Sequence, residues 1–144
     1  MPSKSKVCFF FEYPNFHFEN RTLLKKFIER LFKKEKRNLG SINYIFCSDK
    51  KLLEINRDYL KHDYYTDIIT FDLSDSNKIQ AEVYISIDRI QQNSKLYTVS
   101  FKSELHRVIF HGALHLCGYN DKTSLGAKKM RQKEDEYLKI YFKT

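Results

Sequence analysis

Two histidines, His111 and His115, stand four residues apart in the segment His111-Gly112-Ala113-Leu114-His115. On a helix, four residues overshoot a full circle by about 40° and rise about one turn, so both imidazoles leave the same face. Neutral ring nitrogens placed in this way can share one cation. Gly118 follows, a residue that tolerates the left-handed conformation that stops a helix and turns the chain back. Asp121, three residues later, supplies a carboxylate. Three protein ligands with one open position is the catalytic form of zinc coordination, whereas structural zinc usually has four ligands including cysteines. The expected cofactor is therefore one Zn2+ held by His111, His115 and Asp121. His106 lies about 140° around the helix from His111 and should not join them. His17 and His62 fall outside any ligand spacing.

An ion of this kind polarises a phosphoryl or carbonyl oxygen, or lowers the pKa of water towards about 7. In HExxH metalloproteases the residue after the first histidine is a glutamate that acts as general base. Here that residue is Gly112. Peptide hydrolysis of that type lacks its base, while hydrolysis of other esters or amides stays open.

The elements that must position these residues follow from periodicity. Residues 6–12, 42–47, 68–73 and 83–87 read as strands, rich in β-branched and aromatic residues. A helix over 21–37 carries Leu23, Leu24, Phe27, Ile28, Leu31 and Phe32 at helical spacing, with Asn20 as its cap and Gly40 after its end. Ser48 or Asp49 caps a short helix to about Tyr59. Asp88 with Gln91 forms a capping box for a helix over 89–97. Ser100 caps the histidine helix over 101–117, and a last helix runs from Thr123 or Ser124 to Tyr141. The expected fold is one α+β domain spanning 1–144, with a four-stranded mixed sheet packed against several helices.

Composition bounds the partners. The chain has 144 residues, enough for one compact domain. Its formal net charge of +8 favours polyanions, of which RNA is the commonest in the cytoplasm. Much of the excess sits in Lys25, Lys26, Arg30, Lys33, Lys34, Lys36 and Arg37, a pattern that also suits a solvated helix face. Cys8, Cys47 and Cys117 are widely spaced and odd in number, which fits free thiols in a reducing compartment and no disulfide-linked partner. The apolar run Val7–Phe11 is too short for a signal-peptide core or a membrane span. A cytoplasmic protein is expected, with no membrane partner.

At the histidine segment the chain resembles the YbeY family of bacterial endoribonucleases. The family pattern HGxLHLxGYDH is HGALHLCGYND here, matching at every fixed place but the last two. Upstream, Asn56-Arg57-Asp58-Tyr59 and Tyr65-Thr66-Asp67-Ile68-Ile69-Thr70-Phe71 resemble LNxxYRxxDxPTDVLSF. Ala81-Glu82-Val83-Tyr84-Ile85-Ser86 resembles GDIxIS. The match covers most of residues 49–138. It implies an α+β metalloprotein with a zincin-like HxxxH helix, cutting single-stranded RNA in 16S rRNA 3′-end maturation and ribosome quality control. The implied partner is rRNA or the small ribosomal subunit.

Three positions depart from the pattern. Asp121 replaces the family's third histidine, a harder ligand that changes affinity and Lewis acidity. Leu60 replaces an arginine, for which Lys61 or Arg57 are the nearby cationic substitutes. Tyr65 replaces a proline. No general base is evident. Asp67 and Glu82 are candidates from the matched segments, with turn or sheet-edge carboxylates as their plain alternative. Glu104, two turns before His111, reads as a complement to the helix dipole. Tyr65 or Tyr64 could stack on an exposed base, and Lys61 could meet substrate. The competing reading is a non-catalytic ribosome-biogenesis factor whose metal only fixes an rRNA-binding surface.

Overall fold

The computed structural model describes residues 5–75 and 77–143. The elements run β1 (Val7–Phe11), α1 (Arg21–Lys34), β2 (Leu39–Cys47), α2 (Asp49–Leu60), β3 (Ile68–Asp72), β4 (Ile79–Ser86), α3 (Ile87–Leu96), α4 (Phe101–Leu116) and α5 (Ser124–Lys143). The strands form one sheet in the order β1-β2-β4-β3. β1 and β4 each run parallel to β2, and β3 runs antiparallel to β4. Parallel neighbours need a crossover, which α1 supplies between β1 and β2. The expected α+β class with a four-stranded mixed sheet is what the chain adopts.

Alternation along the strands sends Ile42, Tyr44 and Phe46 of β2 and Ala81, Val83 and Ile85 of β4 to one face, all buried. There they meet Leu24 and Ile28 of α1 and Ile109, Phe110 and Ala113 of α4. The opposite face carries a smaller cluster, Cys47 and Ile69 with Leu52 and Ile55 of α2. One end of the sheet is closed by aromatic rings from Phe9, Phe11, Phe16, Phe18 and Phe46, with Phe18 edge-on to Phe46 at 5.4 Å. The buried Tyr44 hydroxyl donates to the Ile109 carbonyl at 3.2 Å, a polar tie between β2 and α4.

Helix α4 lies close on the sheet because Gly112 faces it. A Cβ at that position would stand 3.0 Å from Ile68 Cδ1 and 3.2 Å from Val83 Cγ1. Position 112 therefore points at β3 and β4. A glutamate there would be driven into the sheet and away from any ion held by His111 and His115.

Several boundaries differ from the sequence-based expectations. Asn20 sits in the left-handed region with φ 61° and makes no side-chain cap on α1. The left-handed residue after α1 is Lys36, φ 60°, and Gly40 lies inside β2, beside an irregularity in the pairing with β4. The cap of α3 is Ser86, whose hydroxyl accepts from Arg89 N at 3.1 Å. Asp88 falls inside that helix and is used elsewhere, accepting from the Tyr13 hydroxyl at 2.6 Å and from Asp49 N at 2.9 Å. β4 starts at Ile79 rather than 83, because β2 offers parallel partners back to Leu39.

The three cysteines are free, and burial pushes the thiols of Cys47 and Cys117 up to about 12, so both are poor nucleophiles. Among the described residues, no helix is long and apolar enough to cross a membrane.

His106 faces away from His111, among Phe18, Phe110, Tyr141 and Phe142. It is 4% exposed, and burial lowers its pKa below the usual 6.5 although its Nδ1 bonds the Lys102 carbonyl at 2.7 Å. As pH falls below about 6.5 the unfolded chain takes a proton that the folded ring refuses, so stability falls until the folded pKa is passed. Urea unfolding of the parent and of His106→Phe between pH 7.5 and 5 should show the parent losing stability relative to the variant as pH falls; His111, whose raised pKa acts in the opposite sense, is common to both chains.

Candidate active site

The histidine helix is held at both ends. Ser100 caps α4 by accepting from Ser103 N at 3.0 Å. At the other end Gly118, with φ 106°, lets its own N–H reach the His115 carbonyl at 3.1 Å. Tyr119 N reaches the Leu114 carbonyl at 3.2 Å. These are the paired bonds of a glycine-terminated helix, and they reverse the chain. The following turn is locked against α5: Thr123 Oγ1 accepts from Gly126 N at 2.9 Å, and Gly126 has no room for a Cβ, which would meet the Asn120 carbonyl at 2.5 Å. Glu35 anchors the turn from the end of α1, accepting from the Tyr119 hydroxyl at 2.7 Å, from Tyr137, and from Lys133 at 3.4 Å. Burial alone would raise the Glu35 carboxyl, but these donors hold it below the usual carboxylate range.

The result is a cleft of about 960 Å3, with His111, His115 and Asp121 all on its lining. His111 is half-buried. Its Nδ1 lies 2.6 Å from Glu134 Oε2, and its Nε2 lies 3.6 Å from Asp121 Oδ2. A carboxylate accepts, so Nδ1 carries the proton of the neutral ring and Nε2 offers its lone pair towards Asp121. Glu134 is 5% exposed and is itself held by Arg107 Nη1 at 2.9 Å, whose Nη2 bonds Asp135 at 2.6 Å. Arg107, Glu134 and His111 thus form one chain of charged hydrogen bonds from α4 to α5 and back. Burial acts to lower the pKa of His111, but the bond and charge of Glu134, with Asp121 and Asp67, raise it above the usual value. His115 sits on the exposed side of the cleft. Among the described residues, no three His, Cys, Asp or Glu side chains form a ready-made metal cage.

The remaining candidates divide. Asp67 lines the cleft, and burial raises its carboxyl above the ordinary aspartate range, partly offset by His111. Asn93 Nδ2 approaches it at 3.4 Å. Glu104, read as a dipole complement, is 4% exposed on the same cleft, raised by burial and by Asp67. Glu82 shares the sheet face of Tyr84, the α2 side, and does not line the cleft. Arg57 is exposed and paired with Asp63, and Lys61 is the exposed left-handed cap of α2; neither lines the cleft. Tyr65 points to Arg89, whose Cζ lies 5.1 Å from its ring centre, and Tyr64 lines the cleft in its place, stacked on His62 at 5.2 Å.

Four lining residues had no motif to mark them or were given another role: Glu134, Arg107, Arg131 and Glu104. The only trace in the sequence is spacing. Arg107 stands one turn before His111, and Arg131 and Glu134 stand three apart on the last helix.

Comparison with known proteins identifies the family. The family model described as Endoribonuclease YbeY matches residues 12–141. The Endoribonuclease YbeY of Cytophaga hutchinsonii is 48% identical over 95% of this chain and 97% of its own length. That of Flavobacterium johnsoniae is 43% identical over 88% of this chain and 91% of its own. The solution structure of TM1509 from Thermotoga maritima superposes with a TM-score of 0.61 at 26% identity, covering 93% of this chain and 89% of that one. A match along nearly the whole chain, with the histidine helix and its glycine turn inside it, places the protein in the YbeY endoribonuclease family.

Proposed function

We propose that the chain is a zinc-dependent, single-strand-specific endoribonuclease that hydrolyses RNA phosphodiesters in 16S rRNA 3′-end maturation and ribosome quality control, acting in the cytoplasm. The observation that carries the metal reading is His111 Nε2 facing Asp121 Oδ2 across 3.6 Å, with the other ring nitrogen already engaged by Glu134. Two donors on one tetrahedral zinc, each at about 2.0–2.1 Å, stand roughly 3.3–3.4 Å apart, so this pair needs only a small adjustment. His115, one turn along the same helix, would be the third ligand. Glu134 fits the carboxylate that orients a ligating histidine.

Charge supports the same reading. Four carboxylates, Asp67, Glu104, Asp121 and Glu134, line the cleft against two guanidiniums, Arg107 and Arg131. Such a site repels a phosphodiester until a dication offsets it. When bound, zinc supplies Lewis acidity towards a phosphoryl oxygen. The chain's own groups do the rest. Arg131 offers a cation to the developing charge. Asp67, raised by burial, accepts a proton from the attacking water or returns one to the leaving oxygen. Tyr64 offers a ring to a base splayed from the strand.

The test is elemental analysis of purified protein together with cleavage of a single-stranded oligonucleotide bearing the precursor 16S 3′ end, with the duplex as control. Parent protein should hold about one zinc per chain, and His115→Ala or Asp121→Ala should hold far less and cut at least about a hundredfold more slowly. Full cleavage by metal-stripped His115→Ala protein would overturn the reading. Turnover of peptides with no cut in RNA would point to a different hydrolase.

The Glu134 bond makes a second prediction. Histidine must be neutral to bind zinc, so occupancy should fall as pH drops through the raised pKa of His111. Glu134→Gln removes the largest of the charges that raise that pKa. It should move the fall in occupancy to lower pH while weakening zinc affinity by about 10–100-fold at neutral pH. Zinc titration with a competing chelator from pH 5 to 8 reads both effects.

A further inference from the structure

Away from the cleft, the end of α1 and the start of β2 enclose a groove of about 520 Å3. Lys6, Lys26, Arg30, Lys33 and Arg37 line it, over a floor of buried Phe32 and Leu39. Among the described residues, the single carboxylate on the lining is Glu29, which accepts from the Ser5 hydroxyl at 3.2 Å. Five cations outside the groove form ion pairs among the described residues: Lys34 with Glu136, Arg57 with Asp63, Arg89 with Asp49, Arg107 with Glu134 and Asp135, and Lys133 with Glu35. Among the described residues, none of the five groove cations forms an ion pair.

The groove does not end blindly. Arg37 also lines a second hollow of about 560 Å3, formed with Gly118, Asn120 and Lys129. Its guanidinium lies against Gly118, where a Cβ would meet Nη2 at 3.0 Å. Lys129 is steadied over the Tyr119 ring at 5.8 Å. Asn120 is the residue before Asp121, which lines the cleft. Arg37 and Lys129, with Glu35 as the carboxylate beside them, thus extend the basic surface from α1 to the turn that ends α4, the turn that carries Asp121.

We propose that this path carries the phosphate backbone of the single-stranded RNA segment that flanks the bond in the cleft, so that substrate length is read outside the site of chemistry. The proposal rests on the endoribonuclease reading for its substrate class. Unpaired lysines and arginines along a groove are what backbone tracking requires, since phosphates give affinity without sequence. An acidic cleft cannot by itself draw in a polyanion, and a cationic track beside it can.

The test is the full-chain triple variant Lys26→Gln/Arg30→Gln/Lys33→Gln, all exposed positions, titrated with a 30-nucleotide single-stranded RNA and with a 5-nucleotide RNA across a range of KCl. Each single-strand phosphate contact adds about 0.7 to the log–log salt slope, so losing three should lower the slope by about 2 and weaken the long RNA roughly tenfold to hundredfold near 0.1 M salt. Affinity for the short RNA should not change. Unchanged binding of the long RNA, or equal loss on both lengths, overturns the proposal. So does capture of phosphatidylserine vesicles by the groove with no effect of the variant on RNA. If the triple variant fails to fold, Lys33→Gln alone should still lower the slope by about 0.7. Binding is read without turnover, so a protein that grips the long RNA through the groove but never cuts it would sink the proposed function and leave the path standing.

Discussion

The contact on which the rest of the site depends is the approach of α4 to the sheet at Gly112. A helix that carries its functional side chains on one face needs its rotation fixed, and the neighbouring residue with no side chain fixes it. With Gly112 seated between Ile68 and Val83, His111 and His115 have no choice but to face the space beyond β3. The tie from Tyr44 to the Ile109 carbonyl prevents the helix from sliding along its axis. Interiors packed at this density do not yield by small amounts, so the orientation is set by the core rather than by the site.

The second constraint is that Asp121 belongs to a turn and must be delivered by other means. A turn is ordinarily the softer part of a fold. Here it is closed by the glycine-ended bonds of α4, by the absence of a side chain at Gly126, and by Tyr119 held on Glu35. Glu35 also binds Tyr137 and Lys133 of α5, the helix that supplies Glu134 to His111. One carboxylate at the end of α1 therefore registers the turn and α5 together. An error in either would move a different partner of the same imidazole.

Much of this was legible in the sequence, for local reasons. His111, His115 and Gly118 are spaced by helix geometry and by the chemistry of a helix end, and periodicity with capping residues points to the four strands and five helices found among the described residues. What failed was choice among equivalent local options. Asp88 and Ser86 can both cap α3, and Ser86 does so because Asp88 is claimed by Tyr13 and Asp49, both remote in sequence. Tyr64 and Tyr65 are both exposed aromatics, and only the path of the chain into β3 decides which faces the cleft. Arg57 and Lys61 lie in the matched segment, but a single exposed helical turn carries them away from it. Glu134, Arg107 and Arg131 had no signal strong enough to select them, because their role exists only where α4 and α5 pack.

The distribution of charge links the two halves of the molecule. A chain of net charge +8 nevertheless gathers four carboxylates on the lining of the cleft that holds His111 and His115. Surface attraction cannot explain that, since scattered lysines would serve better there. Drawing a carboxylate away from water is costly unless something repays its desolvation, and two of the four, the partly buried Asp67 and the buried Glu104, respond by holding protons more readily. The remaining pair, Asp121 and Glu134, brackets one imidazole from opposite sides. Carboxylates so arranged favour positive charge at the imidazole, either as a proton on His111 or as an ion at its free nitrogen. The two compete for the same electron pair. On the proposed metal reading the site exchanges a proton for a cation, and Lys6, Lys26, Arg30, Lys33 and Arg37 lie outside it, where they can attract a polyanion without disturbing that exchange.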